Sequence, residues 1–284
     1  MADVLVLGAM QSAVYALLAL GFTLIFGVGR VVNLAHGAFY ALGAYAAYTL
    51  VVVWKFPLLP GALVAVLFTA LVGIGVDRVL VRPVRRSITA VLILTLVFAL
   101  LTEQVLYAVY GYTSRNIPAF TTATWNLFGV QVPGQRVVTF GVAAALVGIL
   151  WALVYHTRTG ATLLAVAQDR EAALYMGIDV DRVTSLTMAA SAALAGAAGV
   201  LTAPLLVVSP HMWLLPLVKS FAIVILGGLG SIPGSLLASL VVGYAETTVS
   251  YFVASALADL IPLLLILAML LLRPTGLLGR HVEV

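Results

Sequence analysis

The sequence predicts an all-α polytopic membrane protein of about eight or nine spanning helices, and three observations carry that prediction. Hydrophobic residues fill 63% of the 284 positions and charged residues only 8%, against roughly 25% charged in soluble domains. So few charges cannot supply the polar shell of a water-soluble core. Uncharged runs recur along the whole chain at lengths near the ~20 residues that cross a bilayer as helix. The basic residues lie between these runs, singly or in one short cluster, so a net charge of +4 reflects membrane topology and gives no face for nucleic acid. The chain reads as a single transmembrane domain, 1–284, with no soluble domain.

Before the first run, Val4 to Gly29, the one charged side chain is Asp3. The run lacks a basic leader and is about twice the length of a signal-peptide core, so it is expected to stay as the first span. Further runs fall at 31–54, 58–76, 87–110, 137–155, 183–208, 218–230, 234–257 and 260–272. The seventh and ninth have 13 residues each, about 20 Å of helix against a ~30 Å hydrocarbon core. Each is expected to be a partial span or to borrow flanking residues.

Placing Arg78, Arg82, Arg85 and Arg86 on the cytoplasmic side puts Arg30, Arg158, Arg170, Arg182, Arg273 and Arg280 there too. Lys55, Arg115, Arg136 and Lys219 then fall outside. This split of ten to four predicts an outside N-terminus and a cytoplasmic C-terminus. Two connections are long. The outer one, about 111–136, holds Pro118, Pro133, Trp125 and Phe128 and is expected to form a turn-rich cap with interfacial aromatics. The inner one, about 156–182, is polar at its ends and helical in its middle.

Several chemistries are excluded. The two lysines follow Trp54 and Val218, so no phosphate loop exists and ATP cannot bind that way. The stretch from Gly227 to Gly234 (Gly227-Gly228-Leu229-Gly230-Ser231-Ile232-Pro233-Gly234) has no basic residue and is expected to be a tight turn between helices. The four histidines form no His-Glu-x-x-His motif, Ser231 does not fit a Gly-x-Ser-Gly nucleophile, and Asp259 stands without an aspartate partner in the apolar part. With zero Cys there are no disulfides or thiolate sites. The chain is not expected to be an enzyme or to hold a cofactor or metal.

Inside the membrane, Asn33 and His36 lie one turn apart on an expected helix face. They either bond neighbouring helices or line the passage near its cytoplasmic end. Glu103 and Glu246 would each cost about 2.5–3.5 kcal/mol at a span centre if charged and lipid-facing, so both must meet protein or water. Both are candidates to line the pathway, and pairing with Ser, Thr or a freed backbone amide is the alternative. Ser191, Ala195 and Gly199, with Ala192 and Gly196 beside them, let another helix approach closely.

In the inner loop, Asp169 is a good N-cap, Glu171 adds negative charge to the first turn, and Gly177 suits a left-handed helix end. A helix of about two turns is expected between Arg170 and Met176, showing Ala172, Ala173, Leu174 and Met176 to the cytoplasm. So short a helix is marginal alone; it either packs against its own spans or docks on a cytoplasmic partner.

The spacing Glu171-Ala172-Ala173-x-x-x-Gly177 resembles the EAA loop of ATP-binding-cassette importer permeases. Four other stretches narrow the resemblance to the H-type permease subunits of branched-chain amino acid importers: Asn33-Leu34-Ala35-His36-Gly37 with Gly43-Ala44-Tyr45; Arg82-Pro83-Val84-Arg85; Gly227 to Gly234; and Arg273-Pro274-Thr275-Gly276-Leu277-Leu278-Gly279. The resemblance implies that Asp169, Glu171, Ala172, Ala173 and Gly177 form a coupling helix seated in an ATPase groove. It also implies a second homologous permease, two cytoplasmic ATPases that bind the ATP and magnesium, and a periplasmic or extracellular substrate-binding protein. The place would be the bacterial inner membrane and the cargo leucine, isoleucine, valine or a related compound. A urea or amide importer of the same plan is a close alternative. An ion-gradient-driven carrier or channel working through Glu103 and Glu246 is the rival from another class.

Overall fold

In the computed structural model, residues 1–30, 32–273 and 275–278 are described; Pro274, Gly279 and Arg280 of the sequence reading lie outside them. Among the described residues, nine helical segments are long and apolar enough to cross a membrane. The first is α1 (Ala2–Gly29). The second joins α2 (Ala35–Tyr48) to a π-helical turn at Thr49–Val53. The third runs from α3 (Leu58–Val76) through a second π-turn (Asp77–Val81) into α4 (Arg82–Val84). Thus part of the basic cluster expected in a loop is helical. Next come α5 (Ile88–Tyr110), α6 (Gly134–His156) and α9 (Val180–Thr202).

Both short runs borrow residues. The seventh span is Pro210–Gly227, where a 3-10 turn, Pro210–Trp213, leads into α10 (Leu214–Gly227). The eighth is α11 (Ile232–Phe252). The ninth joins α12 (Ser255–Ala258) to α13 (Ile261–Leu272). At 18 residues each, the seventh and ninth rise about 27 Å, close to the hydrocarbon thickness.

α1 is the hub, packed against α6, α9, α10 and α11, with Leu17, Ala19 and Phe22 wholly buried. Small residues decide how near the other helices come. A Cβ at Gly43 of α2 would lie 2.6 Å from the Gly196 Cα of α9, and one at Gly73 of α3 would lie 2.6 Å from the Ala192 Cβ. The Ser191–Gly199 stripe therefore packs against α2 and α3 of its own chain.

Among the described residues, the outer connection adds a two-stranded hairpin to the helical bundle. β1 (Thr124–Leu127) pairs antiparallel with β2 (Val130–Pro133), with Leu127 opposite Val130. Phe128 and Gly129 both have positive φ, 54° and 84°, which suits a two-residue hairpin turn. Val130 and Val132 pack on Met10 and Val137, while Trp125 and Phe128 stay exposed. At the opposite end of the bundle, Gly227 closes α10. Gly228 and Gly230 take φ of 100° and 81°, and Ser231 Oγ caps α11 by accepting from the Gly234 N–H at 3.1 Å. The glycine-rich stretch is a turn between helices, and the chain after α13 returns to it: the Leu277 N–H donates to the Leu226 carbonyl at 2.8 Å.

Candidate coupling and pathway site

The connection between α6 and α9 contains two helices, α7 (Arg158–Gln168) and α8 (Arg170–Tyr175). Only α8 is the short helix read from sequence; α7 adds an eleven-residue helix inside the stretch read only as helical in its middle. Asp169 Oδ1 accepts from the Glu171 and Ala172 N–H groups at 2.9 and 3.0 Å. At the other end the Gly177 N–H donates to Leu174 O and the Ile178 N–H to Ala173 O, both at 3.0 Å. With φ of 79° at Gly177, these two bonds make a Schellman closure.

The expected cytoplasmic display needs one correction. Ala173 is buried and packs with Val28, Val166 and Val180; it seats α8 on the bundle because the helix turns that side inward. The exposed surface is Glu171, Ala172, Leu174, Tyr175 and Met176. Tyr175 was not singled out in the sequence, yet at 89% exposure it is the most open large side chain of α8.

Arg30 joins α8 to the hub. It ends α1 in the left-handed region at φ 49°, and its Nη2 donates to the Gln168 carbonyl at 2.9 Å, beside the Asp169 cap. Arg82 and Arg85 pair with Asp181 at the start of α9, Arg82 at 3.2 Å. Asp77, in the π-turn, is buried and accepts from Ser185 Oγ. Burial, and then the neighbouring Arg85, lower the Arg170 guanidinium from its ordinary value.

Asn33 and His36 do not share a helix face, because α2 begins only at Ala35. Asn33 sits in the preceding connection, where its Oδ1 accepts from the Ala35 N–H at 3.0 Å and its Nδ2 donates to Met188 Sδ at 3.2 Å. It also borders a cavity of about 40 Å³ with Asp77, Arg85 and Arg170. His36 is fully buried: Nε2 donates to the Leu18 carbonyl at 3.0 Å, which leaves Nδ1 to accept from Ser191 Oγ at 3.3 Å. In this chain both bond neighbouring elements.

Each intramembrane glutamate has specific partners, though not those the sequence suggested. Glu103 receives the Trp213 indole N–H at 2.6 Å and His211 Nδ1 at 2.9 Å, which ties α5 to the turn opening the seventh span. Glu246 receives the Tyr15 hydroxyl and lies 3.2 Å from Lys219 Nζ. Lys219 also reaches Asp259 Oδ1 at 2.8 Å. Lys219 was counted on the outer side as the second residue of the seventh run, 218–230, and the span Pro210–Gly227 carries it to mid-helix. A helix long enough to span must include it, and a cation at that depth calls for a carboxylate. Asp259, unpaired in the sequence reading, is one of its two.

A family model described as "Branched-chain amino acid transport system / permease component" matches residues 4–270. The chain belongs to this permease family. Among similar proteins, the permease is 28% identical to the "High-affinity branched-chain amino acid transport system permease protein LivH" of Escherichia coli, over 96% of this chain and 94% of that one. It is 29% identical to BraD of Pseudomonas aeruginosa, over 97% and 95%. A protein of Methanocaldococcus jannaschii described as a probable LivH is 32% identical, over 94% and 89%. In fold, the permease resembles a chain of PsaBC from Streptococcus pneumoniae solved in complex with Fab. There the TM-score is 0.55 at 16% identity, covering 94% of this chain and 91% of that one.

Proposed function

We propose that this permease is one half of the translocation pathway of an ATP-driven importer in the bacterial inner membrane, and that it carries leucine, isoleucine, valine or a compound of that kind. The single observation that carries the reading is α8. A six-residue helix is too short to be stable alone, yet it is capped at both ends, seated through Ala173 and tethered by Arg30 while Leu174, Tyr175 and Met176 stay exposed. That is the form of a rigid knob for a partner protein. In this reading the partner is a cytoplasmic ATPase, one of two that hold ATP and magnesium, so the α8 end faces the cytoplasm. A second permease completes the pathway, and a binding protein delivers the solute at the hairpin end.

The cargo is supported by the family description and by the names of the relatives, which favour branched-chain amino acids over urea or amides. An ion-coupled carrier would need a carboxylate free to exchange its ion. Glu103 and Glu246 are both engaged by side-chain donors, which supports the ATP-driven reading.

The test is reconstitution in liposomes with the two ATPases, the second permease and the binding protein that this reading requires. Leucine uptake should require ATP and every component, and urea should not compete. Leucine uptake by this chain alone along an ion gradient would overturn the proposal.

A further inference from the structure

Asp77 is a buried carboxylate without a cation. It opens the π-turn of the third span, an irregular turn of the kind that recurs at functional sites, and it is 2% exposed. Ser185 Oγ donates to its Oδ2. Among the described residues, Oδ1 accepts no hydrogen bond and neither oxygen is in an ion pair. Arg78 next to it in the chain is exposed, and Arg82 and Arg85 both pair with Asp181. A buried charge left in that condition is costly unless a counter-charge reaches it by another route.

Arg170 is the converse, a half-buried cation without a carboxylate. Among the described residues its side chain makes no hydrogen bond and no ion pair. It also stands in the first turn of α8, where the helix dipole disfavours positive charge. Something outside α8 therefore explains its place.

Both groups border one cavity of about 40 Å³, whose polar walls are Asn33, Asp77, Arg85, Arg170 and Thr184. A water needs about 10–15 Å³ of such space, so about two or three fit. The walls offer each water several polar partners. A carboxylate and a guanidinium joined through such a water still attract, because bulk solvent is excluded from between them.

We propose that Arg170 and Asp77 form a water-bridged ion pair through this cavity, and that the pair is the link by which a movement of α8 reaches the third span. Arg30 ties α8 to the first span, and Arg170 ties it to the third. The coupling half rests on the import reading above; the pairing half stands without it. Both are positioning residues, since they join two elements of the chain and act on transport only through them.

The test is a double-mutant cycle. Thermal unfolding of the full-length permease in detergent reads the pairing, and leucine moved per ATP in the reconstituted complex reads the link. Arg170→Gln leaves Asp77 buried with no cation and should lower the unfolding temperature. Joining it to Asp77→Asn removes the stranded charge, so the double variant should unfold at a higher temperature than Arg170→Gln alone. Leucine moved per ATP should fall about fivefold or more in each single variant and stay as low in the double variant, where the link is still missing. ATPase co-purification should match the native chain throughout, because the exposed side of α8 is untouched.

A double variant no more stable than Arg170→Gln, failure of both to accumulate included, would overturn the pairing. So would rescue of Arg85→Gln, and not of Arg170→Gln, by Asp77→Asn, which would make Arg85 the counterpart of Asp77. Coupling that returns together with stability in the double variant would show that the pair only stabilises, and the link falls. If the native complex moves no leucine with ATP, the import reading and the link fall together, while the unfolding temperatures still decide the pairing.

Discussion

Arg30 and Glu103 show how single residues act in this chain. Arg30 adopts a left-handed backbone at φ 49°, which costs an ordinary L-residue about 1–2 kcal/mol, and its side chain binds the Gln168 carbonyl. Glycine would remove the strain and the tether together. Arg30→Gly should therefore leave the thermal unfolding temperature unchanged or slightly raised, while the number of solute molecules moved per ATP falls. A large drop in unfolding temperature with unchanged coupling would show that the tether only stabilises. Glu103 differs because both its oxygens are occupied and Trp213 is buried. Glu103→Leu strands the indole N–H and should cost about 1–3 kcal/mol, read as lower thermal stability in detergent. Glu103→Gln keeps an acceptor and should cost less; equal losses would assign the effect to something other than these bonds.

At the scale of the element, α8 separates closure, seat and display. Gly177 takes φ 79° with open space around the position of a Cβ, so a substitution there acts through the backbone alone. Gly177→Val should strain the Schellman end and weaken ATPase association in co-purification while membrane assembly stays normal. Ala173 lies beneath the helix, so Ala173→Trp should push α8 off Val28 and Val180 and lower ATPase association through misplacement. Ala172→Trp, on the exposed side, should block docking with α8 still seated. Protease sensitivity of the 156–182 connection distinguishes them: raised for Ala173→Trp, unchanged for Ala172→Trp. The Asp169 cap and the Gly177 end were legible because capping depends on residue type at fixed spacing. The inward turn of Ala173 was not, because a two-turn helix with apolar residues on several sides carries no clear period.

For the whole molecule, the ten-to-four charge split and the proposed docking of an ATPase on α8 call for the same orientation, which labelling can decide. A Cys at Thr122 should react from outside intact cells, and one at Gln168 only after permeabilisation; the reverse would invert the orientation and remove α8 from the cytoplasm. The bundle around α1 also depends on close backbone approach. A side chain at Gly43 meets the backbone of Gly196, so Gly43→Leu should part α2 from α9 and abolish accumulation of folded protein, measured by monodisperse elution in detergent.

The polytopic helical class, the turn at Gly227–Gly234 and the short capped helix followed from the sequence alone, because hydrophobic run length, helix capping and glycine's backbone freedom are local properties. The family resemblance was likewise carried by motifs in order. What Glu103 and Glu246 touch, that Asn33 precedes a helix, and that Lys219 sits between two carboxylates were decided only by the tertiary structure. The partners of Glu246 come from positions 15 and 219, brought together by the packing of α1, α10 and α11. A buried charge requires some counterpart, but which residue supplies it depends on how distant helices are rotated and stacked, and no local spacing records that.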